Sequence, residues 1–229
     1  MQLLYEYRLI LLEGVGVTVA LAVLSLILSV ICGLAGAFAK LSPSRGMRRL
    51  GGCYTTFVRS VPDLVLMMLI FYGGQLMIND IGRLTGLWGY IDVNQFIAGV
   101  LTLGFIFGAY MAETFRGAIL AIPRGQIEAA MSCGMNPRQV FRLVTWPQMV
   151  RYALPSFTNN WLVLIKSTAL VSVIGLHDLV WNAFAAGRST QKLFTFMIAV
   201  LVIYLMITGI SDLLLRRLDR RYSAGAKRA

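Results

Sequence analysis

Five long apolar runs, separated by shorter polar and basic segments, set the reading of this 229-residue chain. They cover about 14–39, 57–79, 93–113, 153–175 and 193–211. Each is long enough to cross a hydrocarbon core of about 30 Å as a helix. The pattern predicts an all-α membrane protein with five transmembrane helices, forming a single transmembrane domain over 1–229. The longest polar interruption, about 117–151, carries a pattern of its own. Glu128 to Cys133 reads as a short helix. Gly134 suits the left-handed position that ends such a helix, because it has no Cβ to clash. Asn136 and Pro137 read as the N-cap and first position of a second helix. That helix has Val140, Phe141 and Val144 on one side and Arg138 and Arg142 on another. Pro147 is expected to end it, since the residue before a proline is pushed out of the α region.

Composition narrows the class. Hydrophobic residues make up 58% of the chain and charged residues only 14%, too few for a soluble domain of this size. The net charge of +11 would suit a nucleic-acid binder, but the bases sit between the apolar runs, where membrane topology places them. No nucleic-acid partner is therefore expected. Basic segments belong on the cytoplasmic side, which puts the N-terminus outside and the C-terminus inside. That arrangement gathers sixteen of the twenty-one Lys and Arg residues in the cytoplasm, Lys40, Arg45, Arg48, Arg49 and Arg59 among them. Three scattered cysteines give no disulfide framework. With Glu6 and Glu13 flanking its first apolar residues, the N-terminus does not read as a signal peptide. There is no GxxxxGK[ST] loop, HExxH or GxSxG, and no cluster of metal ligands. The chain is thus expected to have no catalytic residue, no metal site and no cofactor of its own. His177, the single histidine, reads as a solvated loop residue.

Charges inside apolar runs are costly, so they mark positions with a partner or a cavity. Asp63 follows Pro62. Either it faces a pathway and attracts a cation, or it caps a helix broken at Pro62 or pairs with Arg59. Glu113 lies at the end of the third run, and Arg116 one turn on offers a local partner. Lys166, beside Ser167 and Thr168, either lines a cavity, pairs with an acid such as Glu113, or snorkels to an interface. The pair is the favoured reading. Asn159 and Asn160 bring amides into the fourth run, where bonds between helices outrank contacts with a ligand. Gly104 and Gly108 form GxxxG, which permits close helix approach.

Several of these motifs carry a resemblance. Glu128-Ala129-Ala130, then three residues, Gly134, nine residues, Val144, one residue and Trp146-Pro147 resembles the EAA loop of bacterial ABC-importer permeases. Val144 and Trp146 stand where that family has isoleucine and leucine. Arg59-Ser60-Val61-Pro62 resembles the Arg-Gly-Thr-Pro motif of polar amino-acid permeases, with Ser60 replacing the glycine. Gly108-Ala109-Tyr110, Ala112-Glu113, Arg116-Gly117-Ala118, Lys166-Ser167-Thr168-Ala169-Leu170 and Arg220-Arg221-Tyr222-Ser223 are similar to the same family. The acid Asp63 after Pro62 resembles the Q-type subunit of histidine/lysine/arginine/ornithine importers.

The resemblance implies a type I ABC-importer permease of the bacterial inner membrane, transporting polar and in particular cationic amino acids. It implies a second permease subunit (an M-type chain, or another copy of this one), two ATPase subunits that bind ATP and Mg, and an external solute-binding protein. Glu128, Ala129, Ala130, Gly134, Arg138 and Pro147 would couple to the ATPase. Asp63, Glu113, Lys166, Ser167 and Asn160 are the candidates for the substrate path. A permease for glutamine or an opine is the alternative substrate reading. A passive channel or ion-coupled carrier is the alternative class, although the inverted repeats common in carriers are absent.

Overall fold

The computed structural model describes residues 2–223. The expected tail bases Lys227 and Arg228 lie outside the described residues. All regular structure among the described residues is helical. After a short turn of helix over Gln2–Glu6 come α1 (Arg8–Leu41), α2 (Arg45–Ser60), α3 (Asp63–Thr85), α4 (Gln95–Leu120), α5 (Arg124–Ser132), α6 (Pro137–Ile174), α7 (Leu179–Ser189) and α8 (Leu193–Ser223). Five of these, α1, α3, α4, α6 and α8, are long and apolar enough to cross a membrane.

Helix α4 is the central post. It buries a run of small and apolar side chains, including Leu103, Ile106, Phe107, Ala109, Met111 and Ala112, each 2% exposed or less. Its closest neighbour is α1, and glycines make that approach possible. A methyl group on Gly104 would meet Leu28, one on Gly108 would meet Cys32 and Tyr54, and one on Gly36 would meet Ala112. The pairs 28 with 104 and 36 with 112 ascend together, so α1 and α4 run parallel. Because lipid tails are as apolar as leucine, such close backbone packing supplies the attraction that the hydrophobic effect cannot.

The expected second run, 57–79, is divided in the structure. Helix α2 stops at Ser60, Val61 and Pro62 are extended, and α3 starts at Asp63. Proline pushes its predecessor out of the α region, and Val61 sits at φ −101°, ψ 137°. Helix α3 then outlasts the expected run. It ends at Thr85, where Gly86 adopts φ +69° and donates to the Gly82 carbonyl at 2.8 Å. The irregular stretch that follows is tied back by Asn79, whose Oδ1 accepts from Ile91 N at 2.7 Å, and by Gln75, whose Oε1 accepts from Val93 N at 2.8 Å. Asn94 caps α4, its side chain accepting from Phe96 N and Ile97 N.

Two further expectations are corrected. Pro147 does not end a helix. A π-helical turn over Phe141–Thr145 precedes it, and α-helical hydrogen bonding resumes from Trp146, so Pro147 falls in the first turn of the resumed segment. The wider turn relieves the clash and the missing donor that a proline brings to a regular ladder. The segment between the fourth and fifth runs is not an open loop either. It folds as α7, which packs Leu179, Ala183 and Ala186 with Leu11 and Phe196 in a cluster at one end of the molecule. Within it, His177 is exposed as expected, its ring stacked on Trp181 with centroids 5.4 Å apart.

Candidate functional site

The connection between α4 and α6 builds a helical hairpin from strictly local interactions. Helix α5 closes in a Schellman arrangement: Gly134 N donates to Met131 O at 2.9 Å, and Met135 N donates to Ala130 O at 3.2 Å. The motif needs a left-handed residue, and Gly134 has φ +80°. A reciprocal capping box opens α6. Asn136 Oδ1 accepts from Gln139 N at 3.0 Å, and Gln139 Oε1 accepts from Asn136 N at 2.9 Å. Ala130 and Val140 are buried, while Ile122 and Ile127 reach the cluster around Met149 and Ala153. Glu128, Ala129, Gly134, Arg138 and Pro147 are exposed. Of the six coupling candidates, five thus form an exposed surface and Ala130 seats the hairpin. A shallow cavity lined by Asn136, Arg138, Gln139, Arg142 and Leu143 opens on the same hairpin.

A polar cleft lies between α2 and α4. Thr55, Thr56, Arg59, Ser60, Tyr110 and Glu113 line it, enclosing about 500 Å³. The Arg59 guanidinium stands 5.3 Å from the centre of the Tyr110 ring, a cation–π distance. Asp63, half-buried at the start of α3, is within electrostatic reach of the same tyrosine. It makes no capping hydrogen bond and no ion pair with Arg59. Glu113 is held from two sides. Lys40, from the last turn of α1, forms an ion pair with it, and Arg116 NH1 lies 3.6 Å from Oε2. Lys40 also donates to Thr55 Oγ1 at 2.8 Å, so one ammonium joins α1, α2 and α4. The two side chains are only 17% and 25% exposed, which makes this pair worth more than a surface one.

The five substrate-path candidates do not converge. Glu113 belongs to the cleft and Asp63 adjoins it. Asn160 bonds between helices, donating to Thr114 Oγ1 at 3.0 Å. Lys166 is exposed and forms no ion pair among the described residues, so the favoured pairing with Glu113 is corrected. Glu113 is already satisfied by Lys40, a residue that ends its own apolar run some seventy positions earlier. Ser167 is half-buried where α6 tightens into a 3₁₀ turn over Thr168–Ile174.

A second polar group escaped sequence reasoning altogether. Asp178 is fully buried and caps α7 by accepting from Trp181 N at 2.8 Å, yet its other oxygen has no hydrogen-bond partner among the described residues. Burial pushes its carboxyl up to about 6, against the pull of backbone N–H donors at Trp181 and Val180. Around it, Leu179 N donates to Thr18 Oγ1 at 3.2 Å, and the Thr168 and Tyr204 hydroxyls bond each other at 3.2 Å. Only the N-cap pattern of an acid before Leu179, Val180 and Ala183 could have signalled it.

Five spanning helices, a helix broken at a proline beside a polar cleft, and an exposed hairpin between two spans fit a membrane-transport subunit. The family model described as "Binding-protein-dependent transport system inner membrane component" matches residues 29–224, and the chain belongs to that family. It is 51% identical over 99% of both chains to the histidine/lysine/arginine/ornithine transport system permease protein HisQ of Escherichia coli (strain K12). It is 42% identical to the nopaline transport system permease protein NocQ of Agrobacterium fabrum (strain C58 / ATCC 33970), over 87% of this chain and 85% of that one. A solved amino acid ABC transporter superposes with a TM-score of 0.81 at 31% identity, covering 95% of this chain and 96% of that chain. The MetNI methionine transporter, at 20% identity and a TM-score of 0.68, shares the fold. The chain is therefore a permease subunit of an amino-acid ABC importer, a multi-pass membrane transport subunit rather than an enzyme. Such a permease works with a partner permease, a separate ATPase and a solute-binding protein.

Proposed function

We propose that this subunit forms half of the path for cationic amino acids of the histidine, lysine, arginine and ornithine class. Its 51% identity to HisQ over 99% of both chains carries the reading. The cleft supports it: Asp63 lies within electrostatic reach of Tyr110 in the cleft wall and forms no ion pair among the described residues. A carboxylate left in that condition beside a polar cleft attracts a cation, whereas Glu113, neutralised by Lys40 and Arg116, holds helices together. Lys166 and Ser167, exposed and half-buried on α6, would meet the path from the other side.

The second permease is an M-type chain, the membrane is the bacterial inner membrane, and the N-terminus lies outside. The hairpin then faces the cytosol, where its exposed Glu128, Ala129, Gly134 and Arg138 dock into the ATPase. ATP and Mg bind there, not in this chain. Closure of the ATPase pair pulls the hairpin, and α4 and α6, joined through it, rock between inward-open and outward-open states. Only a partner that binds the two states differently can drive that exchange.

The test is uptake by the complete importer reconstituted in vesicles. Labelled arginine, lysine and histidine should enter on ATP, and glutamine should not. Asp63→Asn should weaken uptake of arginine more than that of neutral histidine at high pH. Equal losses would remove the direct charge role of Asp63, and glutamine uptake at the rate of arginine would remove the substrate class.

A further inference from the structure

The first two turns of α2 present a surface that the transport reading does not use. No acid occurs between Lys40 and Asp63, while Arg45, Arg48 and Arg49 crowd into one helical turn. All three are exposed. Arg48 is committed, donating to the Ser42 carbonyl at 3.1 Å and the Pro43 carbonyl at 2.9 Å, which fixes the turn between α1 and α2. Arg45 and Arg49 make no hydrogen bond or ion pair among the described residues. Glu113, the acid that packs against this segment, is taken by Lys40 and Arg116.

The rest of the helix surface divides cleanly. At 100° per residue, Gly51, Thr55 and Val58 form the buried strip, and Leu50 and Phe57, 68% and 58% exposed, form an apolar strip about 120° round the helix from it. Arg45 and Arg49 lie on the remaining third of the surface, about 110° from the apolar strip, so both strips face away from the bundle. The position along the membrane normal is also set. A methyl group on Gly51 would touch Lys40 and Ala39, the last residues of the spanning helix α1. The turns before Gly51 therefore project past the end of a hydrocarbon-spanning segment, into the layer where lipid headgroups stand.

We propose that this basic turn is a docking face for anionic phospholipid headgroups, with Arg45 and Arg49 reaching phosphate oxygens while Leu50 and Phe57 rest among the acyl chains. Charge complementarity chooses the occupant: unpaired guanidiniums on a helix that also exposes an apolar strip, at a membrane boundary, match an anionic lipid, and guanidinium forks bind phosphate oxygens in pairs. The inference rests on the membrane class of the chain and not on its substrate.

The experiment uses the complete importer in detergent, supplied with phosphatidylglycerol or with phosphatidylcholine of the same acyl chains, and counts retained lipids by native mass spectrometry. The intact complex should hold phosphatidylglycerol in preference, and less of it as salt rises. Arg45→Gln with Arg49→Gln should weaken that retention roughly fivefold per arginine, and Arg45→Lys with Arg49→Lys should keep most of it. Equal retention of the two lipids by the unaltered complex would overturn the proposal, as would undiminished phosphatidylglycerol retention in the glutamine variant. Loss of the ATPase or partner permease from the glutamine variant, with lipid retention unchanged, would assign the face to a protein partner instead.

Discussion

The hairpin around Gly134 and the cleft around Glu113 are built on opposite principles. The hairpin is made of near neighbours: no hydrogen bond that shapes it spans more than five residues. The cleft is made of distant ones, with Lys40 and Glu113 seventy-three positions apart. The hairpin keeps its form while its outer surface stays free for a partner. The cleft keeps its form only while α1, α2 and α4 stay together. A lever that must move as a unit suits the first construction. A path wall that must repack between two states suits the second, because an ion pair across three helices can exist in one state and open in the other.

Breaking the hairpin should give the largest effect. Gly134→Pro imposes φ near −65° where the chain needs +80° and removes the donor to Met131. Membrane insertion and pairing with the second permease should survive, because the bundle does not depend on this turn, while uptake should fall to background. Chemical cross-linking of the hairpin to the ATPase, combined with transport assays, checks both halves. Normal uptake in a variant that still inserts would remove the hairpin from the mechanism.

The next effect tests construction by distant packing. Asp178 is fully buried, and its carboxyl is raised to about 6 from an ordinary 3.8. A raised acid favours the protonated folded state. The stability it contributes is complete below about pH 4 and lost as pH rises through about 6, an effect on the order of 3 kcal/mol. The purified complex should therefore melt higher at pH 5 than at pH 8. Asp178→Asn keeps a good N-cap, removes the charge, and should flatten the profile. A variant with the same pH dependence as the parent would show that another group titrates.

Glu113→Gln sharpens the comparison from the cleft side. It strands the Lys40 ammonium, only 17% exposed, with a weaker acceptor, at a cost of about 1–3 kcal/mol. Lys40→Met combined with Glu113→Gln should recover part of that loss, since no buried charge remains unpaired. Thermal melting of all variants closes the cycle. A double variant that loses the sum of the two single losses would mean that the pair does not couple the helices.

The same contrast explains what the sequence made legible. The five spans, the Gly134 turn and the Asn136 cap follow from residues within one or two turns of each other, and pattern reading finds such features. Pro147 misled because its effect depends on the π turn before it, which widens the ladder without any signature in composition. Lys166 misled because a lysine inside an apolar run invites pairing with the nearest unexplained acid, while the actual partner of Glu113 sat at the end of another helix. Asp178 went unseen because its burial depends on tertiary packing, with Thr18 bonding the next residue's N–H from 161 positions away.

The smallest predicted effect bears on how rigid the hairpin must be. Asn136→Ala removes the acceptor for Gln139 N and with it the reciprocal bond that orders Gln139, a loss of about 1 kcal/mol. The Schellman closure at Gly134 remains, so the turn should still form while the start of α6 frays. On the proposed coupling, force passes from the hairpin into α6 through those residues, and a frayed start should lower uptake per ATP hydrolysed more than it lowers ATP hydrolysis itself. Gln139→Ala breaks the same box from its other end, so the two variants should be alike and the double variant little worse. Unchanged coupling in both would mean that the ATPase grips α5 alone, and the lever would then end at Gly134 and not continue into α6.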